Sequence, residues 1–325
     1  MTNKPSPEIT NKPNTSVTFV EIDADRAGQR IDNFLLATLK GVPKTRIYRI
    51  LRKGEVRVNK SRKKPDYKLI SGDIVRIPPV FLPDAKVPQQ AGQQLIEHLQ
   101  ASILYEDKSL IILNKPSGLA VHGGSGISLG LIEAMRQVRP QEPLLELVHR
   151  LDKGTSGCIM IAKKRSLLRY LHQQLREGKI QKHYHALVIG HWSSSQRSVN
   201  APLRKSELST GEGIVRVDSG GKESKTLFKV LQNYEDCSLV EAKPITGRTH
   251  QIRVHAQYCG HGLVGDDKYG DDNFNKKMKT KGINRLFLHA AALEVQLPDE
   301  PKPLFIEAPL DDRLSKALKG LAKVN

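Results

Sequence analysis

The densest chemistry in the sequence lies in His149-Arg150-Leu151-Asp152-Lys153-Gly154-Thr155-Ser156-Gly157. One carboxylate, Asp152, stands there among His149, Arg150 and Lys153, beside small turn-forming residues. Neighbouring cations favour the ionised form of an aspartate, which suits a nucleophile or a general base. The same D-K-G-T-S-G run also suits an aspartate that organises a turn through its own side-chain bonds. A second dense run is Gly247-Arg248-Thr249-His250-Gln251-Ile252-Arg253-Val254-His255. Alternation predicts a strand here, with Thr249, Gln251, Arg253 and His255 on one face and His250, Ile252 and Val254 on the other. Such a row is either the polar face of a half-buried strand or the wall of a cleft in which Arg253 grips a carboxylate bidentately.

Other chemistries find less support. His122-Gly123-Gly124-Ser125-Gly126 is followed by no G-K-[ST] and reads as a flexible turn, so no nucleotide cofactor is expected. Among 11 histidines, His183 and His185 share a strand face, and His250 and His255 lie five apart. Neither pair has a third ligand at a recognisable spacing, and no H-E-x-x-H occurs, so no metal is expected. The three cysteines, Cys158, Cys237 and Cys259, form no C-x-x-C. A disulfide scaffold or thiolate zinc site is therefore not expected, and a reducing cytoplasm fits.

The elements that must position these residues fall into two groups. At 325 residues, two domains, or one large domain with a small appendage, are expected. No apolar run is long enough to span a membrane, and the opening M-T-N-K-P-S-P-E-I-T has no apolar leader. Residues 1–15 read as a mobile tail, 16–80 as a small domain, 81–100 as a Pro- and Gln-rich linker and 101–325 as one long unit. In the small domain Ile31, Phe34, Leu35 and Leu39 recur at helical spacing. Pro43 opens a second helix with Ile47, Ile50 and Leu51 on one side, and Val56 and Val58 then point inward along a strand. In the long unit, Leu110–Leu113 and Cys158–Ala162 read as buried strands, and residues 184–190 as another. Ser166 is expected to cap a helix bearing Leu167, Leu171 and Leu175, and the polar stretch 266–284 reads as an exposed loop. Strands and helices mix without a regular βαβ repeat, which predicts an α+β fold.

Charge singles out the small domain. The chain carries 52 Lys and Arg against 34 Asp and Glu, a formal +18, and residues 26–80 alone hold 15 basic and 4 acidic side chains. Lys44, Arg46, Arg49, Arg52, Lys53, Arg57 and Lys60 crowd the second helix and the strand after it. A basic helix face usually just meets water. So large an excess without interleaved acids instead points to a polyanion, with phosphate the obvious counter-charge.

H-R-L-D-K-G-T-S-G resembles the catalytic segment of the RluA-type pseudouridine synthases. L-N-K-P-S-G-L-A-V-H (113–122), K-H-Y-H-A-L-V-I-G (182–190) and G-R-T-H-Q-I-R-V-H (247–255) resemble that family's other signatures in order, and residues 26–80 resemble an S4 RNA-binding domain. The resemblance implies an S4-like domain plus a mixed, mainly antiparallel sheet with flanking helices. It also implies a monomer without cofactor that isomerises uridines of 23S ribosomal RNA to pseudouridine. By the same resemblance Asp152 is the catalytic aspartate, Tyr184 stacks on the target base, Arg253 pairs with the aspartate, and Arg150 fills the space left by a flipped nucleotide. His149 and Thr155 are placed with Arg150 on the substrate side, without a chemical step. Gly154 stands where the family usually carries Asp, which implies a local change only. The isomerisation needs no redox step and no hydrolysis, and one carboxylate suffices, unlike the pair used in glycoside hydrolysis. A protein that only bound RNA would have no reason to keep Asp152, Tyr184 and Arg253 together.

Overall fold

The computed structural model describes residues 16–39, 41–80, 90–123, 129–207 and 213–324. The tail read at 1–15 and most of the glycine turn at 122–126 therefore lie outside the described residues. The chain divides into two compact units, residues 1–88 and 89–325.

In the smaller unit the apolar spacing becomes two short helices over a three-stranded sheet. Its elements are β1 (Thr18–Glu21), α1 (Ile31–Thr38), α2 (Lys44–Arg52), β2 (Arg57–Val58) and β3 (Ile74–Ile77). The strands lie antiparallel in the order β1-β3-β2. Phe34 and Leu35 of α1, Ile47 and Ile50 of α2, and Val58 and Val75 of the sheet close one apolar core. Each such side chain contributes about 1.5–3 kcal/mol on leaving water. With that face committed inward, α2 has no choice but to turn its arginines outward.

The larger unit begins with α3 (Gln93–Ala101), β4 (Ile103–Glu106), β5 (Leu110–Lys115), α4 (Leu131–Val138), β6 (Glu146–Leu147) and β7 (Ser156–Ala162). It continues through α5 (Arg165–Arg176), β8 (Gln181–Ile189), β9 (Ser198–Asn200), β10 (Leu203–Glu207), β11 (Gly213–Val217), β12 (Lys225–Tyr234) and β13 (Cys237–Pro244). It ends with α6 (Gln251–Tyr258), α7 (Asp272–Thr280), β14 (Leu288–Val295), β15 (Leu304–Glu307), α8 (Asp312–Lys319) and β16 (Lys323–Val324). Among the described residues an 11-stranded sheet runs β16-β12-β13-β8-β14-β7-β5-β4, with β15, β6 and β9 paired to its members and β10-β11 a separate hairpin. Only the β14–β7 pair is parallel, so the sheet is mixed and mainly antiparallel. The α+β expectation holds.

Alternation along β8 organises both faces of this sheet. Tyr184, Ala186 and Val188 join the core that includes Ile252 and Ala256 of α6, whereas Leu187 belongs to the core with Met278, Phe287 and Leu314. Gly157 (φ 107°) opens β7 so close to β14 that a Cβ would collide with the Ala290 backbone. Only glycine permits both that angle and that approach.

Four local expectations fail. Residues 251–258 are helix, not strand. Seven residues are too few to separate a period of 2 from one of 3.6, and Gln251 through Ala256 are buried on every side. Residues 93–100, read as linker, fall in the helix Gln93–Ala101 of the larger unit, with Leu99 buried, while residues 81–89 lie outside the described residues. The stretch 266–284 is not a plain exposed loop: Asp266 and Tyr269 are buried, and Asp271 caps α7 by accepting the Phe274 N–H at 2.7 Å. Ser166 lies inside α5, whose N-cap is Lys164 with no side-chain capping bond.

Candidate active site

Asp152 sits on a tight turn immediately before β7. The turn is closed by the Thr155 N–H donating to the Asp152 carbonyl at 3.1 Å. The loop leaving β5 clamps it from below. Gly118 N–H donates to Lys153 O at 2.8 Å, and Ser117 Oγ donates to Gly154 O at 2.7 Å. The fully buried Lys115 Nζ donates to the carbonyls of Pro116 (2.9 Å), Leu119 (2.9 Å) and Lys153 (3.3 Å). Burial pushes Lys115 down to about 7. Three carbonyls opposing that shift need three N–H donors, which only the ammonium supplies. The L-N-K-P-S-G run thus serves to hold the aspartate turn. Gly154 is not in the left-handed region, and a Cβ there would touch only Leu286 at 3.4 Å, so the site does not itself demand glycine.

The Asp152 carboxylate remains open, with 30% of its side chain exposed. Arg253 Nη1 lies 3.4 Å from Oδ2, and His250 Nε2 lies 3.9 Å from the same oxygen. The tighter partner of Arg253 is Asp266: Nε and Nη2 donate to its two oxygens at 2.7 Å each, with the carboxylate wholly buried. Burial works against the guanidinium charge, but the Asp266 bonds outweigh it and hold Arg253 above its ordinary value. Asp266 is in turn fixed by the N–H groups of Lys268 (2.9 Å) and Tyr269 (3.0 Å). The bidentate grip expected of Arg253 therefore exists, but on Asp266. Asp152 receives one remaining N–H.

His250 is the N-cap of α6 and adopts the left-handed conformation (φ 53°), unusual for a non-glycine and a form of strain that concentrates at functional sites. The Val215 N–H donates to Tyr269 Oη at 2.9 Å, and Tyr269 Oη and His250 Nδ1 are 2.8 Å apart. With the phenol donating to Nδ1, the ring carries its proton on Nε2, facing Asp152. Burial, ahead of every charge near it, lowers the His250 pKa, which agrees with this neutral ring.

Tyr184 is buried at 8% exposure, and burial followed by the Asp152 charge pushes its phenol upward, so the ring presents a neutral face. His149 accepts the Met160 N–H at 3.3 Å and is pushed by burial down to about 3, a neutral ring bound to β7. Thr155 is buried in the turn and Arg150 is exposed. Asp152, Arg253 and Tyr184 thus form one cluster, Arg150 is exposed two residues before Asp152, and His149 and Thr155 act as struts. Sequence reasoning missed Asp266, Tyr269 and the place of His250 at the start of α6, its ring between Tyr269 and Asp152. A signal was present: Asp266 and Tyr269 lie between Gly265 and Gly270 in an otherwise polar run.

Lys44, Arg46, Arg49, Arg52, Lys53, Arg57 and Lys60, the seven basic residues singled out in the smaller unit, lie on α2 and near β2. All are exposed except Arg46, which is half-buried, and none pairs with a carboxylate of a described residue. No described group of three His, Cys, Asp or Glu could hold a metal ion, and no described helix is long and apolar enough to cross a membrane. A cavity of about 350 Å³ opens where β5 ends and β7 and β14 begin, lined by Lys115, Ser156, Arg285, His289 and Arg313 but not by Asp152.

A mixed sheet that sets the open Asp152 carboxylate against an anchored arginine, in a chain that also carries a separate basic module, defines a class. The chain belongs to the RNA pseudouridylate synthase family, whose model matches residues 109–258, and it carries an S4 domain at residues 29–75. Among its relatives, the ribosomal large subunit pseudouridine synthase C of Pasteurella multocida is 56% identical over 309 residues, covering 95% of each chain. The Escherichia coli K12 protein of the same name is 56% identical over 314 residues, covering 94% of this chain and 97% of its own. The solved structure of human RNA pseudouridylate synthase domain containing 4 superimposes with a TM-score of 0.58 at 26% identity. It covers 70% of this chain and 95% of its own.

Proposed function

We propose that this RNA pseudouridine synthase isomerises uridines of large-subunit (23S) ribosomal RNA, with Asp152 as its nucleophile. The observation that carries this reading is the part-exposed Asp152 carboxylate, 3.4 Å from an arginine that Asp266 fixes in place. The target uridine leaves its stack at a cost of a few kcal/mol. Arg150, exposed two residues before Asp152, fills the gap, and Tyr184 supports the extruded uracil. Asp152 bonds to C1′ as the N1–C1′ bond breaks, the uracil turns, and its C5 bonds to C1′ as the carboxylate leaves. The C5 proton departs to solvent and N1 gains one, so atoms and electrons balance without a co-reactant. Arg253 aims the carboxylate throughout, while His149 and Thr155 keep the turn rigid beside the substrate. The S4 domain adds affinity through Lys44, Arg46, Arg49, Arg52, Lys53, Arg57 and Lys60, which meet phosphate without reading sequence. A monomer acting in the cytoplasm fits the three unpaired thiols and a ribosomal substrate.

The test is pseudouridine mapping across ribosomal RNA from cells lacking this gene, complemented with the wild-type or the Asp152→Asn form. Sites that vanish in the deletion should return in large-subunit RNA with the wild-type form alone. Return with both forms, or disappearance of sites only in other RNAs, contradicts the proposal.

A further inference from the structure

Lys182 is a cation that the proposed reaction leaves unused. It stands two residues before Tyr184 on β8, and residues i and i+2 of a strand face the same side about 7 Å apart. Lys182 therefore shares the face on which Tyr184 and α6 meet. Its surroundings are the site's own segments. The ammonium is close enough to His149 to depress that ring's basicity, and it lies 4.0 Å from where a Cβ on Gly247 would stand, in the loop leading to His250 and Arg253.

This side chain is part-buried and has no ion pair or side-chain hydrogen bond with any described residue. Burial alone lowers its pKa, with no carboxylate near enough to offset it. An unpaired cation taken out of water is costly and normally finds a counter-charge. No fully buried polar side-chain atom among the described residues lacks a partner, so the ammonium of Lys182 keeps an opening to solvent. Arg253 cannot serve an incoming anion, because its guanidinium is spent on Asp266 and Asp152. Lys182 is thus a part-buried, uncommitted cation beside the face of Tyr184.

We infer that Lys182 binds the phosphodiester of the flipped uridine itself, taking one non-bridging oxygen while Tyr184 carries the base. This rests on the proposed function. A full charge without a counter-charge matches a phosphate better than a neutral uracil carbonyl, and the strand step from Lys182 to Tyr184 is comparable with the span from a nucleobase to its own phosphate. The interaction would form only once the nucleotide is extruded, so it discriminates between stacked and flipped states rather than between sequences.

The experiment uses the full-length protein and a large-subunit ribosomal RNA fragment containing a mapped site, with tritium at uracil C5. Release of tritium reports turnover. Lys182→Met should lower kcat/KM by about tenfold to a hundredfold, the range for one charge-assisted hydrogen bond. It should melt at or above the wild-type temperature, since an unpaired cation has been removed. A neutral methylphosphonate at one phosphate flanking the target should cut wild-type turnover by a similar factor and should not add to Lys182→Met. Lys182→Met turning over like wild type, or decreases from the two changes that multiply, overturns the inference. If Lys182→Met does not fold, Lys182→Gln takes its place, and a wild-type enzyme indifferent to both flanking methylphosphonates overturns it equally. No tritium release by the wild-type protein itself would instead overturn the proposed function.

Discussion

Replacing Asp266 by Asn removes the charge beneath Arg253 and leaves the side-chain volume. Two bonds of 2.7 Å join the wild-type pair, and both side chains are buried. With charge centres about 4 Å apart and an effective dielectric near 20, their attraction is worth about 4 kcal/mol. Stripping one partner from a buried pair costs a matching 3–5 kcal/mol or so. A carboxamide that keeps its oxygen toward the Lys268 and Tyr269 N–H groups must turn its NH₂ toward Arg253 Nε, so one charge-assisted bond also disappears. The guanidinium then keeps Asp152 at 3.4 Å and the solvent-exposed Asp267 at 3.6 Å, and should shift toward these two from its place on Asp266. The larger unit should lose about 3–5 kcal/mol in urea unfolding at neutral pH. Trp192, the single tryptophan, lies buried in that unit and reports the transition. Turnover of the folded fraction should drop about a hundredfold, the cost of misplacing a reacting group by an ångström or so. A loss under about 1 kcal/mol with turnover unchanged would refute the claim that Asp266 anchors the arginine.

Acid stability should carry the mark of His289. Its ring bridges Ser156 Oγ (2.9 Å) and Ala308 O (2.9 Å), and burial pushes it down to about 4. Because the folded value lies below the unfolded 6.5, the unfolded chain takes the proton first. Stability complete above pH 6.5 is therefore lost as pH falls toward about 4, by up to about 1.4 kcal/mol per pH unit. His289→Gln should flatten the pH slope of Trp192-monitored unfolding, and parallel slopes for the two proteins contradict this. Arg49→Gln with Arg52→Gln and Lys53→Gln should weaken RNA binding and reduce its log–log salt slope by about 0.7–0.9 for each phosphate no longer neutralised. An unchanged slope would show that α2 does not meet phosphate. Tyr184→Ala should lower turnover more than binding, by an amount matching stacking on a flipped base at about 1–3 kcal/mol, and wild-type rates would contradict that role.

Much of this was legible in the sequence because its signals are local. Pro43 before a run with Ile47, Ile50 and Leu51 on one side marks α2, and D-K-G-T-S-G marks the turn that presents Asp152. The helix at 251–258 was not legible. A segment buried on every side has no amphipathic stripe, and its start depends on His250 tolerating a left-handed backbone that nothing local announces. The Asp266 anchor was hidden for a related reason. A carboxylate in a polar run looks solvated until the chain folds it beneath an arginine 13 residues earlier. Lys115 shows the opposite case, a lysine in a recognisable motif whose purpose, three carbonyls of two loops, is visible only in three dimensions.

The central claim is that the carboxylate of Asp152 performs the chemistry while other parts of the molecule secure the RNA. Single-turnover tritium release from C5-labelled large-subunit ribosomal RNA, with purified Asp152→Asn in excess, tests it most directly. RNA should be retained with wild-type affinity, and no tritium should appear above the protein-free background. Release approaching the wild-type rate would contradict the claim.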